Sequence, residues 1–244
     1  MTQPIFDVRR AGQRFVTTAE GLTSRHLFSF GEHYDPDNVG HGRLMVSNDE
    51  LVSAGAGFGD HPHADAEIVT WVLSGSLVHV DSSGVTGVVY PGLAQRMSAG
   101  RGIVHSERND AFRLDPDRPV EPVHFVQMWL RPDESGGDPS YQQRELDLGG
   151  LRTGWAPVAS GRDRGAAVSV AARGATLWVS VLPPGASRLL PTAPYVHLYV
   201  ARGTVEVETV GPLAEGDSLR ITGEAPLRVT GRVEAELLAW ELDA

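Results

Sequence analysis

Two short triplets place histidine and carboxylate side chains at alternate positions of the chain. The first is His61-Pro62-His63, and the second is His105-Ser106-Glu107. Because successive side chains of a β-strand point to opposite faces, each triplet in a strand would aim two ligand groups in one direction. Imidazole and carboxylate groups that converge from two neighbouring strands can bind a divalent transition metal.

Each triplet by itself also has an ordinary structural interpretation. An exposed loop is the alternative for the first triplet, and a turn with a solvated glutamate is the alternative for the second. Pro62 lacks an N–H group, so its segment belongs at a strand start or on a sheet edge. The two triplets together, each bordered by strand-like sequence and glycine turns, favour a metal site.

The composition excludes several classes of function. The 244 residues include no cysteine, which removes disulfides, thiolate ligands and iron–sulfur clusters. They also include no lysine, which removes Schiff-base chemistry and the lysine of a phosphate-binding loop. The net charge of −10 disfavours direct binding to nucleic acid. Because the chain has no cysteine, any metal must be bound by His, Asp or Glu.

No apolar run is long enough to cross a bilayer. The first residues do not show the basic and apolar segments of a signal peptide. We therefore expect a cytoplasmic protein without a membrane partner.

Short segments rich in Val, Leu, Ile, Thr and Trp alternate with Gly- and Pro-containing turns along the chain. Residues 205–210 alternate apolar and polar side chains with period two, which is typical of a half-buried strand. Amphipathic helices are nearly absent, so the sequence predicts an all-β protein. Both halves repeat a pattern of strand, glycine turn and strand. We expect one barrel over residues 1–131, a linker over 132–150 and a second barrel over 151–244.

Longer stretches around the triplets resemble the motifs of the cupin superfamily. Within that superfamily, their amino-acid sequences are similar to those of the pirin-like cupins. The matching stretches are residues 57–63, 67–73 and 97–107. The resemblance is specific from about residue 22 to residue 145. It implies a bicupin fold, in which two antiparallel β-barrels of the jelly-roll type pack in tandem.

The resemblance also implies one metal, in the N-terminal barrel only. Its ligands by position are His61, His63, His105 and Glu107. The second barrel offers only His197 in the corresponding region, and we expect this residue to pack in the core without metal.

Two glutamates are candidates for catalysis. In many cupins the glutamate at the spacing of Glu67 is a ligand, whereas the resemblance to pirins moves that role to Glu107. We therefore expect Glu107 to be the ligand and Glu67 to lie nearby, and either carboxylate would accept a proton from the substrate. Asp60, Ala64 and Arg25 depart from residues common in the family, and the first two make the surroundings of the site more negative.

The metal expected from the resemblance is Fe(II), with Mn(II), Ni(II), Cu(II) or Zn(II) as alternatives. The implied activity is of the quercetin 2,3-dioxygenase type, with O2 and a flavonol or another small aromatic or enol compound as substrates. The alternative is a regulatory protein that acts through a protein partner. Candidate pocket residues are Phe28, Phe30, Met45, Trp71, Met97, Phe125 and Trp129.

Overall fold

A computed structural model describes residues 3–115, 117, 120–162 and 164–243 of the chain. Strands, turns and loops make up nearly all of it, which confirms the predicted all-β class. The short helical segments are a 3₁₀ turn at Ala11–Gln13, α1 (Ala111–Leu114) and α2 (Leu148–Thr153). Within the described ranges, no helix is long and apolar enough to span a membrane.

The strands follow one another closely along the chain. The earlier strands are β1 (Ile5–Arg9), β2 (Phe15–Ala19), β3 (Leu22–His26), β4 (Leu44–Val52), β5 (Gly57–His63), β6 (Glu67–Ser74), β7 (Leu77–Asp81), β8 (Thr86–Val89), β9 (Leu93–Ser98), β10 (Ile103–Arg108), β11 (Val123–Leu130) and β12 (Ser140–Glu145). The later strands are β13 (Ala156–Ser160), β14 (Val168–Ser169), β15 (Ala175–Leu182), β16 (Ser187–Leu189), β17 (Tyr195–Arg202), β18 (Thr204–Val207), β19 (Gly211–Ala214), β20 (Ser218–Thr222), β21 (Arg228–Gly231) and β22 (Ala235–Leu242).

The N-terminal domain consists of a larger and a smaller sheet that enclose a core. The larger sheet has the order β12-β9-β6-β11-β4-β3-β2, and the smaller has the order β5-β10-β7-β8. Leu77 and Val89 of the smaller sheet pack with Val72 and Phe125 of the larger. The smaller sheet carries both ligand triplets, one on β5 and one on β10.

The C-terminal domain repeats this arrangement. Its larger sheet has the order β1-β20-β17-β22-β15-β13-β14, and its smaller sheet has the order β16-β21-β18-β19. Alternation is visible on β18, where Val205 and Val207 are buried while Thr204 and Glu206 are partly exposed. All pairings of these sheets are antiparallel except the short parallel contact of β13 with β14.

Two edge strands depart from the predicted domain division. β1 lies within the predicted N-terminal barrel in sequence, but it pairs with β20 of the C-terminal sheet. β12 lies within the predicted linker of residues 132–150, but it pairs with β9 of the N-terminal sheet. Each strand covers an edge whose N–H and C=O groups would otherwise be open to pairing with other chains.

The two larger sheets pack against each other through a shared apolar core. Trp71 of the first domain lies in this core, and its Nε1 donates to Oε1 of Glu236 at 2.7 Å. Trp240 of the second domain donates from Nε1 to Sδ of Met128 at 3.1 Å. Trp71 therefore joins the two domains and does not line a substrate pocket as the sequence suggested.

Candidate metal centre

Strand pairing brings the two ligand triplets side by side. β5 and β10 are antiparallel neighbours, with His105 opposite His61 and Ile103 opposite His63. Along β10, Ile103, His105 and Glu107 are buried while the residues between them are more exposed. The alternation expected of a strand therefore points both groups of the second triplet inward.

Three imidazoles meet at this place. The ring centroids lie 4.7 Å apart for His61 and His63, 4.5 Å for His61 and His105, and 4.9 Å for His63 and His105. One nitrogen from each ring lies within 4.8 Å of those of the other two. Nε2 of His63 and Nε2 of His105 are buried without a hydrogen-bond partner among the described residues. Such free, converging nitrogens are suited to a metal ion.

His61 has a ring orientation that also leaves a ligand atom free. Its Nδ1 lies 2.7 Å from the carbonyl oxygen of Gly59. Because a carbonyl only accepts, Nδ1 must be the donor, and a tautomer protonated at Nδ1 leaves the lone pair on Nε2. The fold thus brings together three of the four predicted ligands, the histidines.

Glu107 lies beside this group and is held by an amide. Nε2 of Gln127 on β11 donates to its two carboxylate oxygens at 3.0 and 2.7 Å. Nε1 of Trp129 donates to Oε1 of Gln127 at 3.1 Å and so fixes the orientation of the amide. Glu107 also forms a second group of close ligand atoms with His79 and His105. The four predicted ligands thus fall into two groups that share His105.

A chain of buried hydrogen bonds runs from Asp81 to His105. Oδ1 of Asp81 accepts from N and Oγ of Ser83 at 2.9 and 2.6 Å and from N of Val85 at 3.2 Å. Its Oδ2 lies 3.2 Å from Nε2 of His79. Nδ1 of His79 in turn lies 3.3 Å from Nδ1 of His105.

These contacts determine the tautomers of both rings. Burial lowers the pKa of His79, so its ring is neutral near pH 7 despite the opposing effect of Asp81. Because the carboxylate of Asp81 accepts, Nε2 of His79 carries the proton and Nδ1 is an acceptor. Nδ1 of His105 must then donate, which leaves the lone pair of His105 on the unpartnered Nε2. These hydrogen bonds therefore leave Nε2 of His105 available to bind a metal.

The ionisation states of the group suit metal binding. Burial, aided by the charge of His61, lowers the pKa of His63 to about 4. Burial and the neighbouring histidines lower the pKa of His105 to about 3. Both rings are neutral near pH 7, which is the form that binds a metal. Burial raises the pKa of Glu107 to about 7, although the hydrogen bonds from Gln127 oppose this shift.

A cavity of about 130 Å³ adjoins the histidines. Its lining residues are Ser24, Phe30, Asn48, Glu50, Phe58, His61, His63, Glu107, Gln127 and Trp129. Oγ of Ser24 donates to Oε2 of Glu50. Burial, with the negative charges of Asp49 and Glu107, raises the pKa of Glu50 to about 7. The cavity therefore holds a second buried carboxyl group that can change its protonation state near neutral pH.

Glu67 does not belong to this cavity. Its Oε2 accepts from Oγ of Ser98 at 2.9 Å and from N of Ala171 in the second domain at 3.0 Å. The expected place of Glu67 beside the metal therefore does not fit its contacts. β6 is buried on both faces, and the carboxylate of Glu67 contacts the second domain through Ala171.

Some of the aromatic and sulfur-containing pocket candidates line the cavity, and the others lie elsewhere in the fold. Phe30 and Trp129 line the cavity as expected. Phe28 lies 5.7 Å from the ring of His197. Phe125 belongs to the inner core of the first domain. Met97 packs in a separate buried cluster with residues such as Ile68 and Ile103, and Met45 is only half-buried.

His197 is buried in the second domain, where packing was expected. Its pKa lies well below the usual value because of burial and the charge of Arg220. Its Nε2 has no hydrogen-bond partner within the described part of the chain. The groups of potential metal ligands found among the described residues do not include it.

Four residues of the site could not be singled out from the sequence patterns used above. His79 and Asp81 form a third alternating triplet with Val80, on the strand next to β10, and this pattern could have identified them. Gln127 is a polar residue within the largely apolar strand β11, and Glu50 is one of four consecutive polar residues on β4. A polar residue at such a position is informative only once its neighbours across the barrel are known.

The chain is similar to proteins of one family along nearly its whole length. The family model described as Pirin matches residues 7–130. A protein of Mycobacterium tuberculosis H37Rv named "Putative quercetin 2,3-dioxygenase" is 51% identical over 239 residues, which cover 98% of this chain and 95% of that protein. This chain belongs to the pirin family. The Escherichia coli K12 protein named "Quercetin 2,3-dioxygenase" is 44% identical to this pirin-family chain over 140 residues, or 57% of this chain and 58% of that protein.

Solved structures of the family share the fold. YhhW from Escherichia coli aligns with a TM-score of 0.87 and 33% identity over 98% of this chain and 97% of that chain. The same bacterial pirin in complex with nickel(II) aligns with a TM-score of 0.86 and 33% identity over 98% and 99%. These likenesses, with the paired sheets of each domain, confirm the predicted bicupin fold of this pirin-family protein.

Proposed function

We propose that this pirin-family protein is a metal-dependent dioxygenase that opens a flavonol of the quercetin type, or a related enol, with O2. The observation that carries the proposal is the group of three converging imidazoles beside a cavity, two of them with a buried nitrogen that lacks a hydrogen-bond partner among the described residues. The names of the relatives support the reaction type. The nickel(II) complex of YhhW supports a divalent metal.

The metal in this proposal is a single divalent transition ion. Its ligands would be His61, His63, His105 and Glu107. Three nitrogen donors and one carboxylate suit Fe(II), Mn(II), Ni(II), Cu(II) or Zn(II) better than Ca²⁺ or Mg²⁺, and Fe(II) is the proposed ion. A bound ion of this kind would polarise the hydroxyl and carbonyl oxygens of the substrate and supply redox chemistry with O2.

Glu50 would act as the proton acceptor in place of the expected Glu67. Its carboxyl group lines the cavity and has a pKa of about 7, so both protonation states are present at neutral pH. An acceptor with a pKa near the working pH is suited to removing the proton of an enol hydroxyl. Ser24 would hold the carboxylate in position through its hydrogen bond to Oε2.

His79 and Asp81 would orient the ligand His105. A histidine that binds metal through one nitrogen usually donates from the other to a carboxylate, a carbonyl or water. Here Nδ1 of His105 would donate to His79, and Nε2 of His79 would donate in turn to the carboxylate of Asp81. These two hydrogen bonds would keep the lone pair of His105 directed at the ion and would raise the basicity of the His105 ring.

The size of the cavity bears on the substrate. Its volume is about 130 Å³, whereas pockets for drug-sized ligands usually measure roughly 300–1,000 Å³. A flavonol would insert only its hydroxyl and carbonyl edge and leave its outer ring near Phe30 and Trp129. A small enol or diketone would fit inside as a whole.

The test is oxygen uptake by protein that has been stripped of metal and reloaded anaerobically with each candidate ion. Quercetin and a small β-diketone such as acetylacetone serve as separate substrates. His105→Ala is the test variant, and His197→Ala is its matched control because both replace a buried histidine. We expect uptake by the wild type and by His197→Ala, and none by His105→Ala.

Two results would contradict the proposal. If His105→Ala retained one tightly bound ion per chain and full oxygen uptake, the proposed ligand set would be wrong. If the wild type bound one ion but consumed no oxygen with either substrate, the reaction would be wrong. The second result would favour a regulatory protein that acts through a protein partner.

A further inference from the structure

A second cavity, of about 260 Å³, lies where the two domains meet. Its lining residues are Asp7, Val8, Arg9, Arg10, Gln13, Arg14, Phe15, His26, Leu27 and Asn38. β1 belongs to the C-terminal sheet and β2 to the N-terminal sheet, so the segment between them crosses from one domain to the other. Sites for small molecules occur preferentially at such junctions.

The lining of this cavity is positively charged in a protein of net charge −10. It contains Arg9, Arg10 and Arg14 but only one carboxylate, that of Asp7. Nε of Arg9 pairs with Asp7 at 2.9 Å, and Nη1 of Arg10 pairs with Asp217 at 2.7 Å. Arg14 forms no ion pair with another described residue. Its guanidinium is therefore a cation without a directly paired carboxylate in that part of the chain, although its charge helps to lower the pKa of Asp49.

Arg14 is instead held by neutral groups. Its Nη1 donates to the hydroxyl of Tyr199 at 3.2 Å. The hydroxyl of Tyr199 in turn donates to Oδ2 of Asp49 at 2.6 Å. These contacts fix the guanidinium at the edge of the cavity and leave donors for a ligand, because arginine carries five N–H groups.

A fourth arginine lies behind the lining. Arg220 on β20 is 5% exposed and stands opposite Asp7 in the β1–β20 pairing. Its Nη2 donates to the carbonyl of Leu27 at 3.0 Å and to Oδ1 of Asn38 at 2.6 Å, and both residues line the cavity. Its Nη1 lies 3.8 Å from Oδ2 of Asp7, the oxygen that already pairs with Arg9. Its Nε has no partner in the described chain.

The charge of Arg220 is therefore poorly compensated. Burial, together with the positive charge of Arg9, lowers its pKa to about 10. The charges of Asp7 and Asp35 oppose this shift, and the guanidinium carbon lies 4.4 Å from the centroid of the Phe28 ring. Its ion-pair partner among the described residues is nevertheless Asp7 alone, at 3.8 Å and shared with Arg9, and such a buried cation is costly unless a further anion approaches. Arginine is also the residue best suited to planar, paired hydrogen bonds with carboxylate and phosphate.

We propose that this cavity binds a small oxyanion, either a phosphate group or an organic carboxylate, through Arg9 and Arg14, with the buried positive charge of Arg220 behind them. The anion would complete the charge balance at the domain junction and would bridge the two domains. Phe15 and Leu27 provide apolar surface in the same lining for a short carbon skeleton.

The oxyanion cavity shares a wall with the metal cavity. His26 lines the first, and its Nδ1 lies 3.0 Å from Oδ1 of Asn48, which lines the second. The ring of His26 also stacks on Phe30 at 5.0 Å, and Phe30 lines the metal cavity. Because phosphate and carboxylate can also bind a metal ion, the test must separate the two cavities.

The test is isothermal titration of the metal-loaded full chain with sodium phosphate and, separately, with sodium succinate at constant ionic strength. The test variant is Arg14→Gln. The matched control is Arg232→Gln, which removes an exposed arginine of the second domain that pairs with Glu206 and is not among the lining residues of the cavity. Metal content and circular dichroism verify the folding of both variants. His105→Ala separates binding at the metal from binding at the arginines.

We expect saturable one-to-one binding of at least one anion to the wild type, to Arg232→Gln and to His105→Ala. Arg14→Gln should weaken it about tenfold or more, because a charged hydrogen bond contributes about 1.5–3 kcal/mol. Binding of phosphate alone would identify a phosphorylated ligand, and binding of succinate a carboxylate. The proposal is wrong if neither anion binds saturably, if Arg14→Gln binds like the wild type, or if binding is lost only in His105→Ala.

Discussion

Replacing His79 by leucine tests the hydrogen-bond chain behind the proposed metal ligand His105. The substitution leaves Nδ1–H of His105 without an acceptor in a buried place and removes the donor to Asp81. An unpaired buried donor costs about 1–3 kcal/mol. Loss of such outer partners typically weakens metal binding about ten- to hundredfold, which corresponds to roughly 1.4–2.8 kcal/mol. Both considerations give the same size of effect.

The assay is competition for Ni(II) between the protein and a chelator of known affinity, with the ligand-field absorption spectrum of the bound ion as a second signal. His79→Gln is the matched control, because an amide can accept from His105 through its oxygen and donate to Asp81 through its nitrogen. We expect His79→Leu to bind Ni(II) at least about tenfold more weakly with an altered spectrum, and His79→Gln to recover most of the affinity. Equal affinity and an unchanged spectrum in His79→Leu would refute the reasoning.

Three further predictions concern metal, pH and the domain junction. His105→Ala should lose stoichiometric metal by elemental analysis while His197→Ala keeps it, and a halved metal content in His197→Ala would show a second loaded domain. Burial raises the pKa of Glu50 from its usual 4.5 to about 7, so the folded state binds the extra proton and stability falls as pH rises from about 4.5 through 7. Its carboxyl group alone would account for up to about 3 kcal/mol. In denaturant titrations of metal-free protein, Glu50→Gln should flatten this dependence, and an unchanged slope would contradict it. Trp71→Phe should lower the free energy of unfolding by about 1–3 kcal/mol through the unpaired Glu236 and leave KM for the substrate unchanged; a large rise in KM would return Trp71 to the pocket.

The local features of the site could be predicted from the sequence. In a strand, alternation has a period of two, so His61 and His63 must share a face wherever the strand lies, and so must His105 and Glu107. The absence of cysteine limited the ligands to His, Asp and Glu. The frequency of short apolar segments and turns was enough to predict the all-β class.

The sequence alone did not identify Glu50 or the correct direction of Glu67. β6 is buried on both faces, so its pattern gives no sign of which side chains face the barrel interior and which face the second domain. Glu50 is likewise one of several buried polar residues on β4. Their roles depend on which strands lie opposite, and that is a long-range property of the fold.

What the sequence determined by itself is therefore the content of each strand: which residues are extended, which share a face, and which chemistry they carry. Only the tertiary structure decided which strands are neighbours. It placed β10 between β5 and β7, so that His105 meets both His61 and the His79–Asp81 pair. It also moved β1 and β12 across the predicted boundaries. The physical reason is that residue alternation is fixed by local backbone geometry, whereas strand pairing is chosen by burial and hydrogen bonding between segments far apart in the chain.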